Sequence, residues 1–415
     1  MTLDFPNLRH LRAFMEVVEA GGISAAADRI HFSQPAVTQA IAGLEARLGT
    51  ALLDRRPEGM FATDAGAVLL TRVSRMFDHL AAGAAEALRR AGRRDGRPVP
   101  GFHTRATAAQ LRALIAIRDA GTFSQAARLV GVSQPSIHRA GRDLEKLAGI
   151  KLFAAVRAGV ELTPAAEAFA RGVKLAEAEF GQGLDELSRL KGQDTTRIRV
   201  GSMPLSRTEI LPAACDALLN HTATVQIRLV DAPYGELLRA LRYGALDLLI
   251  GALRDPVPAD DVVQEPLFDD LLAVMAGPAH PLAGKSGLSL DETLAYPWIA
   301  PPKTTPAGSY LFRTLGIAAA PTTPVRVVTS SMVLVRGMLM RGDYLTILSP
   351  RQAAVEIAQG VMVPLDIPLP GSARPIGLTT RAGWMPTPTQ ARFLDLVRGA
   401  AQGGEGYGPR DFEIA

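Results

Sequence analysis

The stretch Ser33-Gln34-Pro35-Ala36-Val37 decides the fold of the N-terminal half of this chain. It recurs 100 residues later as Ser133-Gln134-Pro135-Ser136-Ile137, and the surrounding sequence superposes at the same offset without a gap. The identities on either side are Leu11/Leu111, Arg12/Arg112, Ala13/Ala113, Ala20/Ala120, Gly21/Gly121, Ala26/Ala126, Ala27/Ala127, Leu44/Leu144, Glu45/Glu145, Gly49/Gly149, Leu52/Leu152 and Thr63/Thr163. The N-terminal half is therefore one module written twice.

The residues before Ser33 predict two short helices joined by a tight turn. Apolar side chains recur at helical spacing from Leu8 to Glu19, and Gly21-Gly22 interrupts the pattern. A second helix is expected from Ser24, a candidate N-cap, to Ile30.

The residues from Ser33 onward predict a longer helix with a free polar face. Ser33 is suited to cap its first turn, Pro35 lies where a missing N–H costs nothing, and Gly49 ends it. A recognition helix for DNA is built in this way, with its N-terminal residues free to meet base edges. A short β wing should follow, and its arginines would contact phosphate. The residues predicted to bind DNA in the first copy are Ser33, Gln34, Pro35, Thr38, Gln39, Arg55 and Arg56.

The second copy keeps this plan with several differences. Gly141 replaces Ile41, which costs about 1 kcal/mol in helix propensity and removes a core side chain, and Ala154-Ala155 replaces Asp54-Arg55. The exposed face of its recognition helix is nevertheless more basic. The residues predicted to bind DNA here are Ser133, Gln134, Pro135, His138, Arg139 and Arg142. Two interpretations stay open: the copy has specialised toward phosphate, or its surface no longer docks on DNA.

Each copy ends in a long helix with one apolar face. The two stripes are Leu69, Val73, Met76, Leu80, Ala84 and Ala87, and Phe169, Val173, Ala176, Phe180, Leu184 and Leu187. Stripes of this length predict pairing of these helices between subunits, although each could also dock on its own domain. Residues 92–105 are rich in Gly, Pro and Arg and are expected to be a linker between domains at 6–91 and 106–191.

The composition narrows the class of protein. A chain of 415 residues suits several domains, and its net charge of +4 is too small to announce nucleic acid by itself. No apolar run approaches the ~20 residues of a membrane span, and the N-terminus lacks a secretory pattern. The single cysteine, Cys215, cannot form an internal disulfide. A cytoplasmic protein is expected, with no membrane partner, and with neither cofactor nor metal because no Cys/His cluster has ligand spacing.

From residue 197 to 398 the sequence alternates between strands and helices. The predicted strands are 197–201, 225–230 and 246–251, and the predicted helices are 210–220, 236–243 and 332–340. Strand–helix–strand order with apolar strands predicts a mostly parallel sheet covered on both faces, with ligands at the carboxyl ends of its strands. Residues 399–415 are expected to be a disordered tail.

Both halves resemble LysR-type transcriptional regulators. The segments that resemble the family's winged helix-turn-helix are Ala26-Ala27, Ser33-Gln34-Pro35-Ala36-Val37, Leu44-Glu45, Leu48-Gly49 and Thr63-Asp64-Ala65-Gly66. Those that resemble its effector domain are Leu246-Asp247-Leu248-Leu249-Ile250-Gly251, Ala279-His280-Pro281-Leu282 and Arg374-Pro375-Ile376-Gly377-Leu378-Thr379-Thr380-Arg381, the last being similar to the subgroup named for a galactose-binding-protein regulator. The resemblance implies two all-α winged helix-turn-helix domains followed by an α/β domain of two lobes with a type 2 periplasmic-binding-protein fold. The usual family member has one winged helix-turn-helix domain that reads DNA. This chain departs from the family because it has a second such DNA-reading domain, or reader, at its N-terminus.

The resemblance also places a ligand cleft between the two lobes. By position in the family, the residues expected to bind the effector are Ser202, Met203, Pro204, Tyr234, Pro302, Thr304, Thr305, Ser330 and Ser331. Several hydroxyl groups in this set would suit a sugar or a small carboxylate. Trp298 could stack on a ring or could belong to the core.

The expected function is sequence-specific binding of double-stranded promoter DNA, modulated by a small effector such as a sugar, an aromatic compound or a small carboxylate. A homodimer or homotetramer formed through the long helices is expected, and RNA polymerase is a further candidate partner. An architectural DNA-binding protein without a ligand is the main alternative. An enzyme is not expected, because the sequence shows no nucleophile elbow, phosphate loop or paired carboxylates.

Overall fold

The computed structural model describes residues 5–92, 97–157, 159–319 and 324–403, and it contains the duplicated module twice. The first copy comprises α1 (Leu8–Ala20), α2 (Ile23–Ile30), α3 (Gln34–Leu48), β1 (Leu53–Arg56), β2 (Gly59–Ala62) and α4 (Asp64–Arg90). The second comprises α5 (Ala108–Ala120), α6 (Phe123–Val130), α7 (Gln134–Ala148), β3 (Phe153–Val156), β4 (Gly159–Leu162) and α8 (Pro164–Leu190).

The same local interactions shape both copies. The Ser33 hydroxyl accepts a hydrogen bond from the Ala36 N–H at the start of α3, and Ser133 caps α7 in the same way. A glutamate near the end of each helix then holds the wing: Glu45 accepts the Leu52 N–H at 2.8 Å, and its counterpart in the second copy accepts the Leu152 N–H at 2.9 Å. The duplication therefore extends from the sequence to individual hydrogen bonds.

One predicted cap is wrong. Gly22, and not Ser24, is the N-cap of α2, and it makes no side-chain hydrogen bond. The helix begins one residue early because Ile23 already packs its side chain against the core of the first copy.

The long helices α4 and α8 pack against each other within the chain. Arg72 meets Glu186, whereas Gly83, later in α4, meets Gly172, earlier in α8, so the two helices run antiparallel. A Cβ atom on Gly83 would lie 2.9 Å from the Gly172 Cα, which shows how closely the backbones approach. The pairing buries both predicted stripes except for Leu184, which is 40% exposed.

This pairing corrects the expected partner of each stripe. The sequence indicated another subunit, but each stripe is covered by the long helix of the other copy in the same chain. The contacts repeat with the duplication: Gly83 faces Gly172 on one side of the crossing, and Arg72 faces Gly183 on the other. Since these pairs exchange under the 100-residue offset, the two copies are related by an approximate two-fold axis through the helix crossing.

The segment joining the copies is partly structured. Residues 93–96 lie outside the described ranges, but from Arg97 on the chain packs against the end of α7, where the Val99 N–H donates to the Ala148 carbonyl at 3.0 Å. A short 3₁₀ turn, Phe102–Arg105, buries Phe102 edge-on against Phe169 with ring centroids 4.8 Å apart. The expected linker is therefore anchored over its second half.

The C-terminal half forms two mixed α/β sheets. Its elements are β5 (Arg197–Ser202), α9 (Ile210–Leu219), β6 (Gln226–Val230), α10 (Tyr234–Arg242), β7 (Leu248–Ala252), β8 (Val262–Asp270), β9 (Ala273–Ala276), α11 (Leu290–Thr293), β10 (Trp298–Ala300), α12 (Pro306–Ser309), β11 (Val325–Val328), α13 (Met332–Leu339), β12 (Leu345–Leu348), α14 (Ala354–Ala358), β13 (Val363–Pro364), β14 (Arg374–Arg381) and α15 (Pro388–Ala401). The strand orders are β6-β5-β7-β14-β8 and β11-β10-β12-β9-β13.

The chain crosses between the lobes twice, at β8–β9 and again before β14. Strand β14 therefore pairs antiparallel with both β7 and β8, so the first sheet is mixed where the sequence indicated a mostly parallel one. Helix α15 continues to Ala401, past the expected start of the tail, because it packs against α9, and residues 404–415 lie outside the described ranges. Among the helices that the structure describes, none is both long and apolar enough to cross a membrane.

Candidate DNA-contacting surfaces and ligand cleft

The first recognition helix, α3, exposes the face that the sequence predicted. Ser33, Gln34, Pro35, Thr38 and Gln39 are all exposed. The residues buried on the opposite face are Val37, Ala40, Ile41 and Leu44. The Thr38 hydroxyl donates to the Gln34 carbonyl at 3.0 Å, and Gln34 itself is exposed at the start of the helix.

A groove beside α3 contains basic residues that the sequence analysis missed. Arg9 and His10 from the start of α1 and His31 from the turn before α3 line this groove together with Ser33 and Gln39. His31 has a left-handed backbone with φ of 55°, which turns the chain into the recognition helix. A comparison of the two copies could have found these residues. The second copy has the uncharged residues Ala109, Gln110 and Gly131 at the corresponding positions, so the basic side chains are specific to the first copy.

The two wings have the same register but different chemistry. Both Arg55 and Arg56 are exposed in the first wing, where the Arg56 Nε donates to Asp54 at 2.9 Å and the guanidinium lies over the Phe61 ring. The second wing presents Ala154 and Ala155 at the positions of Asp54 and Arg55. In the first copy, therefore, the positive charge lies on both sides of α3, in the groove and on the wing.

In the second copy the positive charge lies on the recognition helix itself. The exposed residues of the predicted set are Ser133, Gln134, Pro135, His138 and Arg139. The His138 ring packs edge-on against Phe123 at 4.9 Å, and Arg142 is half-buried and pairs with Glu145. Of the three basic residues predicted on this helix, His138 and Arg139 are therefore exposed, whereas Arg142 is held by Glu145.

Gly141 does not mark a decayed core. A Cβ atom at this position would lie 3.2 Å from the Phe153 ring and 3.3 Å from the Ile117 side chain. These two residues replace the smaller Leu53 and Val17 of the first copy. The expectation of a lost core side chain is corrected, because larger neighbours fill the volume that Ile41 occupies in the first copy.

A cleft of about 100 Å³ lies between the two sheets of the C-terminal half, and its walls are mainly apolar. Of the nine predicted effector residues, Met203, Pro204, Thr305 and Ser330 line it. The remaining lining residues include Leu205, Ala252, Pro301, Pro306, Ala307, Thr329, Met332, Val335, Thr346, Ile347, Leu348, Gln352, Arg374 and Ile376. Arg374 is paired with Asp270 at 3.0 Å, so its charge is neutralised at the cleft wall.

The other predicted effector residues have different surroundings. Ser331 caps α13 and lines a more polar opening next to the cleft, together with Ser330 and Arg207. Ser202 is buried beside this opening, and its hydroxyl accepts from the Arg207 Nε at 3.0 Å. Arg207 in turn pairs with Asp231.

Three predicted residues lie away from the lining of the cleft. Tyr234 sits under the Arg254 guanidinium at 4.2 Å, and burial raises the pKa of its phenol. The Pro302 carbonyl accepts the Thr305 hydroxyl, and Thr304 is exposed. Trp298 is fully buried, with its Nε1 donating to the Thr293 carbonyl at 3.2 Å, so it belongs to the core of the second lobe.

A buried arginine, which the sequence analysis missed, joins the helix pair to the first lobe. Arg72 of α4 is fully buried and donates to Glu179 at 3.0 Å and to the Met385 carbonyl at 2.8 Å. Burial alone would raise the pKa of Glu179, but hydrogen bonds from His79, Arg75 and Arg72 outweigh it and lower that pKa to about 2. The sequence did contain a signal for this residue, because Arg72 is a charged residue that directly precedes Val73 of the apolar stripe.

Comparison with known proteins agrees with this architecture. The family description "Bacterial regulatory helix-turn-helix protein, lysR family" matches residues 8–67 and again 108–167, and "LysR substrate binding domain" matches residues 191–402. The chain is 34% identical over 400 residues to the "HTH-type transcriptional regulator GalR" of Pseudomonas putida, with 95% of this chain and 98% of that protein aligned. An alignment of this length extends over both helix-turn-helix copies.

Other relatives align with a shorter part of the chain. The "HTH-type transcriptional regulator PcaQ" of Agrobacterium fabrum is 25% identical over 291 residues, which cover 70% of this chain and 94% of that protein. The crystal structure of ArgP from Mycobacterium tuberculosis has a similar fold, with a TM-score of 0.53 and 21% identity over 71% of this chain and 97% of that one. Together, the two matched domains and the full-length relative show that the chain belongs to the LysR family of DNA-binding, non-enzymatic transcriptional regulators with an effector-binding domain.

Proposed function

We propose that each chain binds promoter DNA with both of its recognition helices, held as one unit by the α4–α8 pair. The observation that carries this proposal is the close antiparallel crossing at Gly83 and Gly172, which fixes the two readers relative to each other. The matching caps of α3 and α7, and the exposure of Gln34 and Gln134, support a DNA-contacting role for both copies.

We propose a small, largely apolar effector for the cleft, such as an aromatic ring with one or two polar substituents. The walls of the cleft are mainly apolar, which suits an apolar ring, and its volume of about 100 Å³ limits the enclosed part of the ligand to a small group. Hydroxyl groups of Thr305 and Ser330 supply polar contacts at its wall. A sugar fits this site less well, because most of the wall offers no hydrogen-bonding partner.

We propose that oligomers form through a surface other than the long helices, whose apolar stripes are already covered within the chain. Apolar side chains are exposed on the edge strands of both sheets: Leu229 on β6 is 47% exposed and Val328 on β11 is 57% exposed. Unpaired edge strands with apolar residues favour association. We therefore place the homodimer or homotetramer contact on these edges. We further propose that the protein acts in the cytoplasm and that it contacts RNA polymerase.

The test is a DNase footprint on the DNA upstream of the protein's own gene. Gln34→Ala and Gln134→Ala should each weaken protection at a different half-site, since a bidentate base contact supplies about 1–3 kcal/mol. Gln359→Ala changes an exposed glutamine after α14 and serves as the control. If Gln134→Ala leaves the footprint intact while Gln34→Ala weakens it, the second copy acts as a spacer and the two-reader proposal fails.

A further inference from the structure

A second cavity, separate from the effector cleft, lies where the α4–α8 pair meets the first lobe. It measures about 170 Å³, and long polar side chains dominate its walls. Arg75 and His79 come from α4, Arg171 comes from α8, and the lobe contributes Arg242 and Arg381. No part of the proposed DNA or effector chemistry uses this cavity.

The cavity contains more positive than negative charge. Asp261 accepts hydrogen bonds from both Arg171, at 2.5 Å, and Arg242, at 2.7 Å. The other lining carboxylate, Glu179, accepts from Arg75 at 2.8 Å and is also bound by the neighbouring Arg72. The charge of Arg72 is balanced by Glu186, but the lining itself has four arginines, Arg75, Arg171, Arg242 and Arg381, against these two carboxylates, which leaves an excess of positive charge around the cavity.

Arg381 adds a further buried charge. This residue is 8% exposed, and its Nη1 donates to the backbone carbonyls of Leu241 and Leu246. None of the ion pairs formed among the described residues includes Arg381. Burial lowers the pKa of this guanidinium to about 10, as expected for a cation that has lost water without gaining a paired anion.

Two hydrogen-bond donors of the lining residues lack an acceptor. The Arg75 Nε and the Trp384 Nε1 are buried and have no hydrogen-bond partner within the described part of the chain. Buried polar atoms are nearly always paired, and both of these can only donate. The missing partner must therefore be an acceptor.

We propose that this cavity binds a small oxyanion, of the phosphate or dicarboxylate class, that bridges the α4–α8 pair and the first lobe. An oxyanion supplies several acceptor atoms and the negative charge that the arginines lack. Bound there, it contacts both the helices that join the two readers and the lobe that carries half of the effector cleft. Its occupancy then controls how firmly the lobe is held against the readers.

The experiment is a calorimetric titration of the full-length protein with sodium phosphate and, separately, with sodium succinate at constant ionic strength. We expect saturable binding of at least one anion. Trp384→Phe keeps an aromatic ring but removes the unpaired donor, and Arg75→Lys keeps the charge but removes Nε. Each should weaken the measured affinity at least tenfold. Circular dichroism verifies that both variants are folded before titration.

Two control variants locate the binding. Arg398→Lys alters an arginine of α15 that pairs with Glu265 of β8, away from the cavity, and Arg55→Gln alters the exposed wing. Both should bind the anion as the wild type does. The proposal is overturned if neither anion binds, if Trp384→Phe and Arg75→Lys retain wild-type affinity, or if Arg55→Gln abolishes binding, which would place the anion on the DNA-contacting surface. The anion that binds more tightly shows whether the cavity prefers a phosphate or a dicarboxylate.

Discussion

At the scale of single residues, Arg72 and its carboxylates give the sharpest prediction. Replacing Arg72 by alanine removes a fully buried guanidinium that binds both Glu179, which keeps Arg75, and Glu186, and breaking a buried pair in this way costs about 3–5 kcal/mol. Arg89→Ala removes an exposed arginine that pairs with Glu86 on the same helix and should cost under about 1 kcal/mol. Urea unfolding followed by circular dichroism compares the two. Equal, small losses would show that Arg72 is not needed to hold the junction.

Acid stability should depend on Glu179. Its pKa in the folded protein is about 2, below the ordinary value of 4.5, so its stabilising contribution is present above about pH 4.5 and is lost as the pH falls toward 2. We expect Glu179→Gln to remove stability at pH 7 and to have a much smaller effect near pH 2. Thermal unfolding at both pH values measures this. A loss that is the same at both would contradict the assigned protonation.

Asp185 on α8 should act in the opposite direction. Burial raises its pKa from 3.8 to about 7, so the folded protein favours the protonated acid and loses stability as the pH rises from about 4 through 7. Asp185→Asn should therefore stabilise the protein at pH 8 by on the order of 2 kcal/mol and have little effect at pH 4. The difference in unfolding midpoint between the two pH values tests this, and no difference would refute it.

At the scale of elements, the α4–α8 crossing requires glycine. A Cβ on Gly172 would lie 2.6 Å from the His79 carbonyl, so Gly172→Ala must separate the helices and should cost about 1–3 kcal/mol. Gly181 lies on the same helix with open space around its Cα, and Gly181→Ala should be neutral or stabilising by up to about 1 kcal/mol. Thermal unfolding of the two single variants is the measurement. If both substitutions stabilise the protein, the helices are not in close contact.

The elements themselves were largely predictable from the sequence, whereas their partners were not. Local signals such as Ser33 and Gly49 placed the ends of α3 because caps act within one turn. The periodicity of α4 and α8 revealed an apolar face, but periodicity carries no information about what covers it. The same limit applies to the cleft: family position predicted Thr305 and Ser330, which line it, but the direction in which Ser202 points depends on its hydrogen bond to Arg207.

At the scale of the whole molecule, the exposed edges of the two sheets should control association. Leu229→Asp on β6 or Val328→Asp on β11 should shift the sedimentation velocity profile toward the single chain, because each places a charge at an apolar contact. Val257→Asp changes an equally exposed valine, 51% accessible, in a loop and should leave the profile unchanged. An unaltered oligomer in both edge variants would place the contact elsewhere.

The antiparallel crossing of α4 and α8 also has a consequence for how operator occupancy depends on dose. In a protein whose two readers lie on separate subunits, dilution below the dissociation constant of the dimer separates the two readers. Here a peptide backbone connects the two readers, so the pair survives any dilution. Under the two-reader proposal, occupancy of a two-half-site operator by one chain rises with the first power of protein concentration, where a dissociating dimer would give the second power. A promoter controlled in this way responds gradually to the number of copies in the cell, down to a single molecule.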